Sequence, residues 1–334
     1  MSEQSAPRFE PTHHKDIGYL PPPPSGFRAV DASDSDLVRF GYPPRPRKTD
    51  GPNAVNRWLQ RVSTERIVPD LRAPKYRRTH EIKDITANNN IWAGAVISSA
   101  SNVFAPSAGK LYNLDMSFTV PNVYRQAAPI GEQDHCVVWA GYDGYGGPDV
   151  FQAGVHMVKG NQSGGPHGFS YYETYPWIEW YPASELQVTN LPANPGDLMD
   201  FSLAFDVTAG NPVKGSVTIY NLSSYQNVCL GLAPQSGSHL IGNCVEWIIE
   251  RPQLSESGRK YRPSLANFDL LYVNCSMNIG ATQYDFQNLN GEALLLLTMV
   301  DMSTGTRTLC KPYIEPVDVN NKAERMYFQF LDAS

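Results

Sequence analysis

From about Ile82 onward, apolar and polar residues tend to alternate one by one. Met199, Phe201, Leu203, Phe205 and Val207 alternate with Asp200, Ser202, Ala204 and Asp206. Val213, Gly215, Val217 and Ile219 alternate in the same way with Lys214, Ser216, Thr218 and Tyr220. Side chains two apart on a strand point to one face, so each run predicts a strand with one buried side. Asn211-Pro212 predicts the turn that joins these two, and Asn290-Gly291 predicts a hairpin between 284–289 and 292–300. No long helical period and no repeat of fixed length interrupts the pattern. The expected class is all-β: an antiparallel sandwich of two packed sheets, or a jelly roll.

Residues 1–80 lack the alternation. A Pro run at 21–24 and the PPRPRK segment at 43–48 predict an irregular extension ahead of a sandwich domain at 81–334. One short helix is expected at Asn53–Val62, where Val55, Trp58, Leu59 and Val62 fall at helical spacing. The extension holds 14 Lys/Arg against 9 Asp/Glu, and the rest of the chain 13 against 24, so a basic arm precedes an acidic body. Opposite charges on one tether favour docking. A propeptide-like cover, a structural strap and a free tail all fit such a segment.

Composition narrows the chemistry. A net charge of −6 disfavours a nucleic-acid partner, which requires a basic face. No stretch approaches the ~18 apolar residues of a membrane span, and MSEQSAPRFE shows no basic start followed by an apolar run, so no signal peptide is expected. Cys136, Cys229, Cys244, Cys275 and Cys310 show neither CxxC nor zinc-ligand spacing; their odd number leaves one without an intrachain partner, with one or two disulfides open. HExxH, GxSxG and phosphate-loop motifs are absent from the sequence, so neither metal nor cofactor is expected.

The informative question is which residues share a face. Trp139, Gly141 and Asp143 do so in 137–143, and Gln152, Gly154 and His156 in 150–158. Tyr175, Trp177, Glu179 and Tyr181 share one in 175–181, and Cys244, Glu246, Ile248 and Glu250 in 244–250. Each opposite face is apolar. Rings interleaved with amides, carboxylates and glycine fit a ligand-binding concavity, with four ordinary half-buried strands as the alternative.

These same residues resemble the glutamic peptidases, or eqolisins. NNIWAGAV (89–96), VVWAGYDG (137–144), VFQAGVHM (150–157), WIEWYP (177–182) and GNCVEWIIE (242–250) occur in that family's order, with a weaker match at ANFDLLYV (266–273). The resemblance implies a two-sheet antiparallel sandwich of concanavalin A-like or jelly-roll type. It also implies endopeptidase activity at acidic pH, polypeptide substrates, no cofactor and an extracellular location. Residue by residue, it implies Gln152 and Glu246 as the catalytic pair, with Trp139, Asp143, His156, Trp177, Glu179 and Tyr181 lining the substrate cleft. His156 stands where the family commonly has Asp, and Thr174-Tyr175-Pro176 where it has Tyr-Asp-Ala; both changes remove acidic groups.

The chemistry suits the pair. An ionised Glu246 can take a proton from water and return it to the leaving amine. Gln152 offers a carbonyl to hold that water and an amide to steady the oxyanion. Both are expected on adjacent strands of one sheet. Two rival readings keep the sandwich: a lectin-like module stacking sugars on Trp139, Trp177 and Tyr181, and a glycoside hydrolase using Glu179 and Glu246, which needs its carboxylates ~5–9.5 Å apart.

Overall fold

A computed structural model describes the chain apart from residues 1–7, 48–50, 80–85, 108–109, 126–132, 163–168, 207–213, 236, 257, 281, 302–306, 316–324 and 332–334. Its principal strands are β1 (Trp92–Ser98), β2 (Tyr112–Thr119), β3 (Gln133–Asp143), β4 (Val150–Gln162) and β5 (Phe169–Tyr181). They continue with β6 (Leu198–Asp206), β7 (Lys214–Asn221), β8 (Gln226–Leu232) and β9 (Cys244–Glu250). The last are β10 (Leu270–Ile279), β11 (Ala293–Asp301), β12 (Arg307–Ile314) and β13 (Arg325–Phe330).

The expected antiparallel sandwich forms. A front sheet runs β11-β1-β9-β3-β4-β5, and a back sheet runs β8-β7-β6-β2-β10-β13-β12. Strand β11 joins them at one edge: Ala293–Leu297 pair with β1, and Met299–Asp301 pair with β12 across a register shift. The alternation explains the core. Val138, Ala140, Phe151, Ala153, Val155, Ile178, Val245, Trp247 and Ile249 point inward and meet Leu114, Met116, Met199, Phe201, Leu203, Val217 and Ile219 of the back sheet. Every polar residue of interest on the front strands therefore faces the other way.

Strands β6 and β7 pair as their alternation predicts, from Met199↔Asn221 to Asp206↔Lys214; the Asn211-Pro212 turn, Val207, Val213 and Ile82 lie outside the described residues. Asn290 and Gly291 take the left-handed conformation of a turn, with φ of 51° and 93°, but the hairpin does not form. Thr282–Tyr284 pairs with β10 instead, and β11 pairs with β1. The apolar run of β11 closes the edge of the front sheet, where Leu297 is wholly buried. All five cysteines are free and buried, so the disulfide alternative is not realised. Among the described residues no helix is long and apolar enough to cross a membrane.

The expected helix is present at Gly51–Val62. Its Trp58 and Val62 join Ala29, Leu37 and Tyr42 in a small core of their own. Ile17–Tyr19 pairs with β8, Leu71–Arg72 extends the front sheet through Leu186–Val188, and Arg77–Thr79 pairs with Gln253–Ser255 beyond β9. The N-terminal segment thus touches the outer side of both sheets. Arg61 fastens it to the back sheet, donating to Asp200 at 2.6 and 3.0 Å and to Asp115 at 2.8 Å, all three side chains being buried.

Breaking a buried ion pair by removing one partner costs ~3–5 kcal/mol, because the other charge is left uncompensated. Arg61→Ala is expected to lower the unfolding free energy in urea by about that amount. Adding Asp115→Asn and Asp200→Asn should recover part of the loss. A single mutant within ~0.5 kcal/mol of wild type, the range of ordinary surface changes, would show that the arm is not anchored there.

Candidate active site

The register of the front sheet assembles the predicted residues into rows. Glu246 of β9 pairs with Gly141 of β3, which pairs with Gln152 of β4, which pairs with Glu179 of β5. Directly opposed residues point to the same face, so all four side-chain positions lie on the outer side. One row along stand Ile248, Trp139, Gly154 and Trp177, and then Glu250, Val137, His156 and Tyr175. On the other side, Asp143, Val150 and Tyr181 form the last row. The predicted residues are therefore brought together.

One expectation needs correction: Gln152 and Glu246 are not on adjacent strands. β3 lies between them because it is central, pairing with β4 on one side and β9 on the other. Two strand spacings put their α-carbons about 9.6 Å apart. The residue between is Gly141, which has no side chain, and its neighbours pack closely over it. A Cβ there would come within 3.0 Å of the Gln152 Cβ and 3.2 Å of the Trp139 ring. Gln152 and Glu246 thus flank a residue without a side chain, Gln152 turning its amide toward Glu179 and Glu246 its Oε1 toward the Tyr145 N–H.

Glu246 is held asymmetrically. Its Oε1 accepts from the Tyr145 backbone N–H at 2.6 Å and lies 3.1 Å from the Cys244 thiol, which donates to it. Its Oε2 has no hydrogen-bond partner among the described residues. The turn after β3 makes this possible: Gly144, at φ +110°, runs so close that a Cβ would sit 3.2 Å from Oε1. Asp143 anchors the approach to β9 by accepting from the backbone N–H groups of Gly242 and Asn243, each at 2.9 Å. Burial raises the Glu246 carboxyl to about 8 against the lowering by its two donors, and raises Asp143 to about 6.

Gln152 donates from Nε2 to Glu179 Oε2 at 2.6 Å. Trp139 donates to Glu250 Oε2 at 2.9 Å. His156 shares hydrogen bonds of 2.9 Å with both Tyr175 and His135. Burial first, and His156 second, push the His135 imidazole well below its ordinary range. Gln152, Glu246, Trp139, Trp177 and His156 are wholly buried, and only Tyr181 among the predicted site residues is part-exposed.

Sequence reading passed over several of these groups. His135 lies on the outer face by the same period-two rule as Trp139, so extending the 137–143 run by two residues would have found it. The Tyr145 N–H and the Arg78 guanidinium carry no such signal. Arg78 lies within hydrogen-bonding or ion-pairing reach of Glu179, Glu185 and Glu250.

The two-sheet antiparallel sandwich has the fold of the glutamic peptidases. The chain belongs to the Peptidase A4 family, whose model matches residues 90–321. It is 27% identical over 183 residues to scytalidopepsin B of Scytalidium lignicola, a match covering 54% of this chain and 58% of that protein's length. The fold is shared with scytalido-glutamic peptidase solved with a transition state analog inhibitor: TM-score 0.52, 16% identity, 72% of this chain and 98% of that one. The family and fold class expected from the ordered segments are thereby borne out.

The site carboxyls set a pH signature. Glu246 titrates near 8 in the folded chain against an ordinary value of 4.5. Between these values the folded chain keeps a proton that the unfolded chain has lost, so this contribution is complete below about 4.5 and declines as pH rises to 8. Asp143 acts in the same sense between 3.8 and about 6. Glu185, lowered by Arg78 against the effect of burial, acts in the opposite sense, but only below 4.5. The melting temperature of Glu246→Gln relative to wild type is therefore expected to rise by about a few degrees between pH 4.5 and 8. A difference that is constant with pH would contradict the buried, neutral carboxyl.

Proposed function

We propose that this chain hydrolyses peptide bonds through Gln152 and Glu246. The observation that supports the reading most strongly is the row Glu246–Gly141–Gln152, two complementary side chains flanking a glycine on one face of the front sheet. In this reading water attacks the scissile carbonyl carbon while its proton passes to Glu246 Oε2. The oxyanion accepts from the side-chain amide of Gln152. Glu246 then returns the proton to the amide nitrogen as the C–N bond breaks.

Two features bear on the pH range. While Glu246 is buried, its carboxyl is neutral below about 8 and has no base character. Admitting substrate and water relieves the desolvation that causes the shift, so the carboxyl returns toward the ordinary range. The ionised base then becomes available in mildly acidic solution, where Glu246 and Asp143 also favour the folded state. Activity on the acidic side of neutrality follows, on polypeptide substrates able to reach the outer face of the front sheet.

The rival readings have less support. The Arg78 guanidinium already covers the Trp177 ring and Trp92 packs edge-on against Trp139, so neither ring is available to stack on a sugar. Glu179 and Glu246 stand three strand spacings apart, about 14 Å between α-carbons, with Gln152 reaching from its strand to Glu179.

The test is digestion of a denatured protein across pH 2–8. Glu246→Gln and Gln152→Ala are each expected to lower kcat by at least ~10²-fold, with unchanged circular dichroism. Gly141→Val should abolish turnover by crowding the position between them, and Tyr181→Ala should act mainly on KM. A Glu246→Gln protein that cleaves at the wild-type rate would sink the mechanism.

A further inference from the structure

Beside the row of Gln152 and Glu246 lies a cage that the proposed chemistry does not use. Its walls are Glu179 on β5, Glu250 on β9, Glu185 on the segment after β5, and the ring of Trp177. Its occupant is Arg78, whose side chain is wholly buried. Nη1 donates to Glu250 Oε2 at 3.3 Å, Nη2 lies 3.5 Å from Glu179 Oε2, and Nε donates to Glu185 Oε2. The guanidinium carbon stands 3.6 Å from the centre of the Trp177 ring.

We propose that this cage is a subsite for an arginine side chain of the substrate polypeptide, and that Arg78 fills it in the substrate's place. The inference rests on the peptide-hydrolysing reading above and names a substrate feature for it. Three observations carry it.

The first is charge and shape. Three carboxylates, each no more than 3% exposed, converge on one cation; without it they would be buried as uncompensated charges, which is strongly unfavourable. A planar guanidinium with five N–H donors reaches several carboxylates and still stacks flat on an indole, whereas an ammonium is a point charge that does neither.

The second is position. Glu179 Oε2 also accepts from Gln152 Nε2, and Glu250 Oε2 also accepts from Trp139 Nε1. The cage therefore shares one carboxylate with the proposed oxyanion donor. An arginine held there places its backbone along the face that carries the row.

The third is the way Arg78 arrives. It is delivered on a three-residue strand, Arg77–Thr79, that adds to Gln253–Ser255 through Thr79↔Gln253, Arg78↔Leu254 and Arg77↔Ser255. Addition of an extended segment to a strand edge is how many peptide-binding proteins take their ligands: the backbone supplies affinity and a side-chain pocket supplies selectivity. A substrate strand can use the same edge and the same pocket once residues 77–79 leave.

The test is binding, so that it does not depend on turnover. Full-length Arg78→Ala protein is titrated by calorimetry with acetyl-arginine amide, acetyl-lysine amide and acetyl-citrulline amide. Saturable binding of the arginine compound is expected, at least ~10-fold tighter than citrulline, a factor equivalent to 1.4 kcal/mol. Wild-type protein, with the cage occupied, should bind it at least ~10-fold more weakly than the variant. If Arg78→Ala is unfolded alone, refolding with acetyl-arginine amide should restore its circular dichroism, and acetyl-citrulline amide should not. Equal binding of arginine and citrulline, no binding, or no selective rescue of fold would each overturn the subsite. Selective binding in a protein that never cleaves peptide would instead uphold the cage and remove the hydrolytic reading.

Discussion

The front sheet is buried on both of its faces. Its inner face packs on the back sheet mainly with apolar side chains, but its outer face carries Glu, Gln, His, Asp and Trp away from water. A buried polar group without a partner costs ~1–3 kcal/mol, and a buried charge more. Most of the outer-face architecture answers that constraint. Gln152 meets Glu179, Trp139 meets Glu250, Tyr175 meets His156 and His156 meets His135. Asp143 meets the backbone at the entrance to β9.

The same burial acts on neighbouring carboxyls in opposite directions. Glu246 has only two uncharged donors, the Cys244 thiol and the Tyr145 N–H, against desolvation, and its carboxyl rises to about 8. Glu185 is equally buried, yet against that desolvation the Arg78 guanidinium and His156 together hold it below its ordinary value. Proximity to a cation decides the sign. A neutral acid and an ion-paired carboxylate can therefore occupy one dry face, which is the differentiation that acid–base chemistry requires.

The basic excess of the N-terminal segment is concentrated where it matters. Arg61 sits between two aspartates outside the back sheet, and Arg78 among three glutamates outside the front sheet. Buried ion pairs add little net stability compared with apolar packing, but they are unforgiving of misplacement. Two of them, on opposite sides of the sandwich, set the path of the segment more tightly than its small apolar core of Trp58, Val62, Leu37, Tyr42 and Ala29 does alone.

How much of this was legible in the sequence follows from the range of each interaction. Alternation is local, so the strands, their inward faces and the outward set Gln152, His156, Trp177, Glu179 and Glu246 could be read residue by residue. The ordered segments supplied the family. Strand neighbourhood is not local. β3 separates the strands of Gln152 and Glu246, and only the paired register places Gly141 between them. Asn290-Gly291 showed its turn, but not that β11 would leave for the front-sheet edge, because edge closure depends on a strand some 200 residues earlier in the chain. Arg78 finds Glu185 and Glu250 at separations of 107 and 172 residues, so no pattern along the chain announces it. The sequence by itself determined the class of fold and the residue types on each face. The burial that tunes Glu246, the glycine-spaced row and the arginine cage were decided by tertiary structure, since each is a sum over groups that meet only when both sheets and the N-terminal segment are in place.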